Sequence, residues 1–369
     1  MKLVASYCIT CILCLSLLGC SSKDGGVREI RLSGNTVETL GLEEWFDVAD
    51  TVQIAAEEFV LGRISKVIAD GEDFYVWDNQ GVHRFTRAGK YLNSIGVKGR
   101  GPREYLEIAD LSVRDGLVAI LDGSRKVLLF NREGRFIRQA ELSFFAASCH
   151  LLKDRLLLHS AYQEPTEKFH AYSLPDLVET AAFQEIQQEE LTWRHFKGQH
   201  NFFLTRDSVL LFHEPLNRKV LSISGDECRP FLAFDFFGKN GPSSFWEKRF
   251  ASVKDVFDQM MAEDISCGIP LFATDGAVTV LSFTGQGQYL LTIHDSSRTP
   301  SDVRSGTVSY KGVFRNVPMA SFDNVVFSFN SARDLSIVVP PAYLTSTAKD
   351  NGNPMLVFLA FWERCGRLD

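Results

Sequence analysis

The chain has 369 residues, 45% hydrophobic and 23% charged, with 46 acidic against 39 basic side chains. That is ordinary globular composition, which excludes extended disorder, collagen and a coiled-coil rod. A net charge of −7 argues against a nucleic-acid binder, which needs a basic face to match phosphate, and the length allows one large or two ordinary domains.

The chain opens on a targeting signal. Met1-Lys2 precedes an apolar stretch from Leu3 to Leu18, then Gly19-Cys20-Ser21-Ser22. A positive start, an apolar core and small residues at a processing point make a secretory signal over residues 1–19. The run is just short of what a membrane-spanning helix needs. Leu17-Leu18-Gly19-Cys20 resembles the lipobox of bacterial lipoproteins, and the resemblance implies a lipid on Cys20 and anchorage in the cell envelope, at the outer membrane. Ser21-Ser22-Lys23-Asp24 loosely resembles the tag that sends some Gram-negative lipoproteins to the cell surface. Cys8, Cys11 and Cys14 have a metal-site spacing but lie inside the signal. Cys149, Cys228, Cys267 and Cys365 remain. They allow three disulfide pairings or four free thiols.

Residues 20–49 read as a tether and lead-in. After them comes an internal repeat. Ile68-Ala69-Asp70-Gly71-Glu72-Asp73-Phe74-Tyr75-Val76-Trp77-Asp78 leads to Arg84-Phe85 and Gly89-Lys90-Tyr91-Leu92. Val113-Arg114-Asp115-Gly116-Leu117-Val118-Ala119-Ile120-Leu121-Asp122 leads to Leu129-Phe130 and Gly134-Arg135-Phe136-Ile137. Phe85 to Phe130 and Gly89 to Gly134 share one offset of 45 positions. A period of that size with short strands and turn residues is the signature of a propeller blade. The first unit predicts strands at Ile64–Ala69, Phe74–Trp77, Val82–Phe85 and Tyr91–Ile95. The second predicts Ile108–Val113, Leu117–Leu121, Lys126–Phe130 and Arg135–Glu141. Asp78 and Asp122 close strands at equivalent positions, where a carboxylate caps a turn.

Farther along, strand-like runs continue at Arg155–Ser160, Lys168–Ser173, Ser208–Phe212, Lys219–Ile223, Pro230–Phe234, Ala277–Phe283, Tyr289–Ile293, Val325–Phe329, Ser336–Val339 and Met355–Phe361. Units of about 50 residues divide the remaining length into six. The expectation is an all-β, six-bladed propeller over residues 50–369, closed by pairing Thr51–Leu61 with Met355–Phe361, since an unpaired edge invites aggregation. An open sandwich of the same strands is the alternative. One segment differs: between about residues 243 and 264, Trp246, Phe250, Val253, Phe257 and Met260 fall on one helical stripe, with Ser244 and Glu247 as a capping box. It predicts one inserted amphipathic helix.

Gly96-Val97-Lys98-Gly99-Arg100-Gly101-Pro102-Arg103-Glu104-Tyr105, following Gly89-Lys90-Tyr91-Leu92, resembles the signature of six-bladed β-propeller lipoproteins from Gram-negative gut bacteria, distant relatives of NHL-repeat propellers. The similarity is strong over residues 50–141, weaker near Asn353–Trp362, and Arg103 stands where the family often has glycine. It implies a lipid-anchored propeller. Some such proteins are encoded near polysaccharide-uptake genes, which makes carbohydrate or glycopeptide binding an analogy.

No motif for chemistry emerges. Gly99-x-Gly101 lacks the third glycine and the βαβ setting of a dinucleotide site, and no Walker loop, His-Glu-x-x-His helix or nucleophile elbow occurs. His195 and His200 are five apart, unsuited to one helical face, and Cys149-His150 would point apart in a strand. No metal, cofactor or catalytic residue is therefore expected. The candidate ligand-binding residues are Arg100, Arg103, Glu104 and Tyr105, on a loop crossing between blades: two planar donors, a carboxylate and an aromatic ring. A second reading gives that loop a purely structural role. The expected function is a non-enzymatic binding or scaffolding module for a glycan, a peptide or an envelope protein. The alternative is a lyase or hydrolase with an active site at the channel mouth.

Overall fold

The structure, a computed structural model, describes residues 27–32, 35–54, 58–123, 125–160, 166–186, 201–213, 216–285, 287–319, 326–345 and 352–362. The signal at 1–19, Cys20, the stretch 21–25, His195, His200 and Cys365 lie outside the described residues. Among those described, no helix is long and apolar enough to cross a membrane.

The stretch read as tether contributes β1 (Arg28–Arg31), β2 (Leu40–Gly41) and the start of β3 (Phe46–Gln53). The first blade follows as β4 (Ile64–Asp70), β5 (Asp73–Asp78), β6 (Val82–Thr86) and β7 (Tyr91–Ile95). The second is β8 (Ile108–Arg114), β9 (Leu117–Asp122), β10 (Lys126–Asn131) and β11 (Phe136–Glu141). The third is β12 (Ala146–Leu151), β13 (Arg155–Ser160), β14 (Glu167–Ser173) and β15 (Glu179–Glu185). The fourth is β16 (Phe202–Leu204), β17 (Leu210–His213), β18 (Lys219–Ser224) and β19 (Glu227–Asp235), with β1 added parallel to β19.

Two short helices, α1 (Ser243–Trp246) and α2 (Val253–Ala262), stand where one was expected. Pro242 rather than Ser244 precedes α1, with no side-chain cap, and Glu247 ends it, so the capping box is absent. The chain breaks between them because Ser252 caps α2, its hydroxyl accepting from the Asp255 N–H at 3.2 Å. Phe245, Phe250, Val256 and Met260 are buried together, with Trp246 and Phe257 against them.

Next come β20 (Cys267–Thr274), β21 (Val278–Gly285), β22 (Gln288–Asp295) and β23 (Asp302–Ser305), one antiparallel sheet. The strands β24 (Thr307–Tyr310) and β25 (Phe314–Pro318) pair with β2 in a three-stranded sheet. The last blade is β26 (Val326–Ser331), β27 (Asp334–Val339) and β28 (Met355–Phe361), with β3 as its outer strand. β3 pairs antiparallel with β28 from Met355↔Gln53 to Phe361↔Phe46. The early strand that joins the last sheet thus runs over 46–53, ahead of the expected 51–61.

The blades repeat locally for readable reasons. β5 and β9 are buried almost throughout, as suits strands covered on both faces. Gly89 and Gly134 both take positive φ, 83° and 77°, where a side chain would be strained. The inner strands of the first three blades each carry a bulge near their start: Ile64/Lys66 in β4, Ile108/Asp110 in β8 and Ala146/Ser148 in β12. A bulge re-aims the side chain that follows it, and here those side chains are polar and buried: Lys66, Asp110 and Ser148.

An inner strand has one unpaired edge, whose N–H and C=O groups must find partners. Neighbouring side chains supply them. Ser328 Oγ accepts from the Val67 N–H at 2.9 Å, and the Asn330 amide donates to the Val67 carbonyl at 2.8 Å. Asp110 accepts from the Cys149 N–H and Ser112 from the Leu151 N–H, both at 2.9 Å. Lys66 donates to the Leu111 carbonyl at 3.0 Å. Side chains, not backbone ladders, stitch the first three blades together and the last blade to the first.

Five inner strands, β4, β8, β12, β16 and β26, line the axial cavity. β16 and β26 meet directly through a parallel bridge, Leu204↔Ser331, which merges their blades into one nine-stranded sheet. The propeller therefore has five blades about its axis, not the six expected. The sheet β20–β23 is set back because its inner strand is apolar: Leu271, Phe272 and Ala273 are buried with Phe203 and Leu211 of the fourth blade and Phe327 and Phe329 of the last.

Candidate functional site

The crossover from β7 to β8 holds the four residues singled out by sequence. It is tied at its base, where the Tyr105 N–H donates to the Val97 carbonyl at 3.1 Å and the Gly99 N–H to the Tyr105 carbonyl at 2.9 Å. Glu104 folds back inside it, Oε2 accepting from the Gly101 N–H at 2.7 Å. A Cβ at Gly99 would stand 2.1 Å from that oxygen, and one at Gly101 2.9 Å. The Gly-x-Gly pair is thus the cradle of a carboxylate. Lys126 adds a tie from the second blade, donating to the Glu104 carbonyl at 2.7 Å.

Tyr105 is 3% exposed and its ring belongs to the core with Trp77 and Phe130, so only its edge is offered to a ligand. Burial pushes its hydroxyl up in pKa, partly offset by a backbone hydrogen bond at Val82. The two arginines are different. Arg100 is exposed and makes no hydrogen bond or ion pair among the described residues. Arg103 is exposed with φ 75°, in the left-handed region that disfavours any residue carrying a Cβ. Its N–H donates to Gln139 Oε1 at 3.2 Å, and its guanidinium stands over the Phe136 ring at 5.1 Å. The structure brings Glu104 and Tyr105 together as the inner framework of the loop and leaves Arg100 and Arg103 on its outside.

Beside this loop lies a groove of about 470 Å³, walled by Lys98, Tyr105 and Leu106 on one side and Trp77, Asp78 and Asn79 on the other. That is within the usual range for a small-ligand site. Sequence reasoning did not find its second wall, which is the β5–β6 turn, although the turn carried a visible signal in Asp78. Asp78 Oδ1 accepts from the Gln80 and Gly81 N–H groups at 2.8 and 3.0 Å, and His83 Nε2 lies 3.1 Å away. Burial alone would raise its carboxyl, but bonds from His83 and from backbone N–H groups of Gly62 and Gln80 prevail and lower it.

The second concavity is the axial cavity, about 140 Å³. Lys66 Nζ and Asp110 Oδ1 pair across it at 2.8 Å, both nearly inaccessible. Burial pushes the Asp110 carboxyl up, opposed by the Lys66 ammonium. His150 is pushed down to about 3 by burial and by the Lys66 and Arg114 cations, and burial raises Cys149 well above the ordinary thiol range. A buried, protonated thiol is a poor nucleophile. Asp334 is raised to about 7 by burial. Lys66 and Asp110 satisfy one another and the strand edges, whereas His150 Nε2 and Asp334 Oδ1 are buried without a hydrogen bond among the described residues. Cys149 and Cys267 are free thiols. No cluster of three metal-binding side chains occurs among the described residues.

The chain is similar in fold to a solved Bacteroides fragilis protein described as exported, at 15% identity and a TM-score of 0.67, covering 91% of this chain and 100% of that one. Weaker likenesses are to BamB of Moraxella catarrhalis (9% identity, 84% of this chain and 77% of that one, TM-score 0.39) and to the extracellular domain of a one-component system of B. thetaiotaomicron (12%, 80% and 32%, 0.39). Comparison with the curated proteins gives no match. The model of one family, described as a domain of unknown function (DUF4934), matches residues 35–299, most of the propeller. The chain belongs to the DUF4934 family.

Proposed function

We propose that this propeller is a non-enzymatic binding module of the cell envelope, held to the outer membrane by a lipid on Cys20, and that it takes a glycan or peptide segment in the groove between the β7–β8 crossover and the β5–β6 turn. The observation that carries this reading is Arg103. It is exposed yet held at φ 75°, where glycine would relax the chain by about 1 kcal/mol or more. Strain kept at an exposed arginine is best explained by what the side chain does outside the fold. With the unpartnered Arg100 it offers two planar forks to carboxylate, sulfate or hydroxyl groups. The groove itself, lined by Lys98 and Tyr105 of the same loop and not by the two arginines, has room for a sugar ring or a few peptide residues. In the axial cavity Lys66 and Asp110 are engaged with one another, which favours binding over catalysis.

The test is a thermal-shift screen of the protein against glycan and peptide libraries. A ligand whose stabilisation disappears in Arg100→Ala and Arg103→Ala supports the groove. Ligands that stabilise both variants as well as the parent place binding elsewhere.

A further inference from the structure

A third concavity lies where the last blade meets the set-back sheet. The β3–β28 ladder ends at Phe46 and Phe361, whose rings lie 4.9 Å apart. One residue farther on, the Trp362 N–H donates to the Trp45 carbonyl at 3.1 Å. The two tryptophans are thus held at one end of a rigid ladder. With Asp275, Val278, Asp295, Ser297, Arg298 and Glu44 they wall a cavity of about 170 Å³. A comparable apolar cavity of about 150 Å³ takes one benzene ring, so this one holds a single six-membered ring.

Its walls divide into apolar faces and fixed polar groups. Trp362 is 44% exposed, leaving part of an indole face to solvent. Trp45 is 5% exposed, one face covered by the Arg298 guanidinium at 4.7 Å, and its indole N–H is buried with no hydrogen-bond partner. Arg298 is clamped by Glu44 Oε2 at 2.8 Å, the Glu44 carbonyl at 3.0 Å and Asp295 at 3.1 Å, which fixes its plane and leaves N–H groups of its fork over. Asp275 Oδ1 accepts from the Ala277 and Val278 N–H groups at 3.0 and 2.7 Å, while Oδ2 makes no hydrogen bond among the described residues.

We infer that this cleft binds one uncharged pyranose ring of a glycan, its C–H face against Trp362 and its hydroxyls shared between Arg298 and Asp275. An aromatic face next to fixed donors and acceptors matches a ring that is apolar on its faces and polar at its rim. Three carboxylates against one guanidinium leave the cleft negative, which repels uronic and other acidic sugars. The site is separate from the crossover groove and does not depend on it.

Full-length protein in a sugar-free detergent is titrated with the methyl pyranosides of glucose, galactose and mannose and with glucuronate, read by calorimetry and tryptophan fluorescence. At least one neutral pyranoside binds and glucuronate binds more weakly. Trp362→Ala weakens binding at least tenfold, and Trp362→Phe restores most of it. Arg103→Gly leaves this binding unchanged, which separates the cleft from the groove. Silence with all three pyranosides, equal binding of glucuronate, or binding that survives Trp362→Ala overturns the inference.

Discussion

Asp78 and Asp122 hold the same place in successive blades: each accepts, through Oδ2, the backbone N–H of the residue 16 positions earlier, Gly62 at 2.7 Å and Leu106 at 3.2 Å. Each thereby ties the end of its blade's second strand to the crossover that led into the blade. Asp122 also accepts from the Glu107 N–H at 3.2 Å. Replacing either by alanine leaves part-buried N–H groups without that acceptor. Asp78→Ala and Asp122→Ala are each expected to cost about 1–3 kcal/mol in urea unfolding, with the asparagine variants in between because one acceptor remains.

Arg103 separates stability from binding. Arg103→Gly relieves the positive φ and should raise stability by about 1 kcal/mol, measured by denaturant midpoint, while it weakens any ligand of the crossover groove. A variant that is both less stable and unchanged in binding would make the arginine structural.

The Lys66–Asp110 pair joins the first two blades. Lys66→Met leaves Asp110 buried without its cation and should cost about 3–5 kcal/mol. Lys66→Met combined with Asp110→Asn removes the stranded charge while keeping an acceptor for the Cys149 N–H, so the double variant should be more stable than the single one. Equilibrium unfolding of both reads the difference.

Asp334 predicts a pH dependence. Its carboxyl is held at about 7 rather than 3.8 by burial, opposed by hydrogen bonds from Asn330 and the Ala69 N–H and by the Arg87 and Lys66 cations. The folded protein therefore holds this proton more tightly than the unfolded chain. Its contribution to stability is present below about pH 4 and is lost as the pH rises to about 7, on the order of 4 kcal/mol in all. Asp334→Asn should flatten that slope and be the more stable protein at pH 8, as measured by unfolding at a series of pH values.

Cys20→Ala should release the protein from membranes on fractionation of cells that produce it. Continued sedimentation with the membrane would remove the lipid anchor from the account.

The first two blades were legible nearly to the residue, because two landmarks at one offset fix the register of all eight strands. Tyr91–Ile95, placed by the repeat, and Arg155–Ser160, a strand-like run, are strands over those residues. The blade count was not legible. Dividing length by period assumes that every unit reaches the axis, whereas the apolar β20 wedges outward and a single long-range bridge, Leu204↔Ser331, closes the gap behind it. β3 was placed too late because Thr51–Leu61 looks strand-like by composition, while the pairing with β28 is chosen by the Phe46–Phe361 contact at the other end. At the crossover, the glycines and Glu104 were visible as a motif, but the opposing wall of Trp77 and Asn79 depends on packing that no local pattern encodes.

The most direct test of the binding assignment is a crystal structure of the protein grown with the ligand that stabilises it most. The account predicts density between Lys98 and Trp77, within reach of the Arg100 and Arg103 guanidinium groups. A ligand bound at another face, with this groove open to solvent, would contradict it.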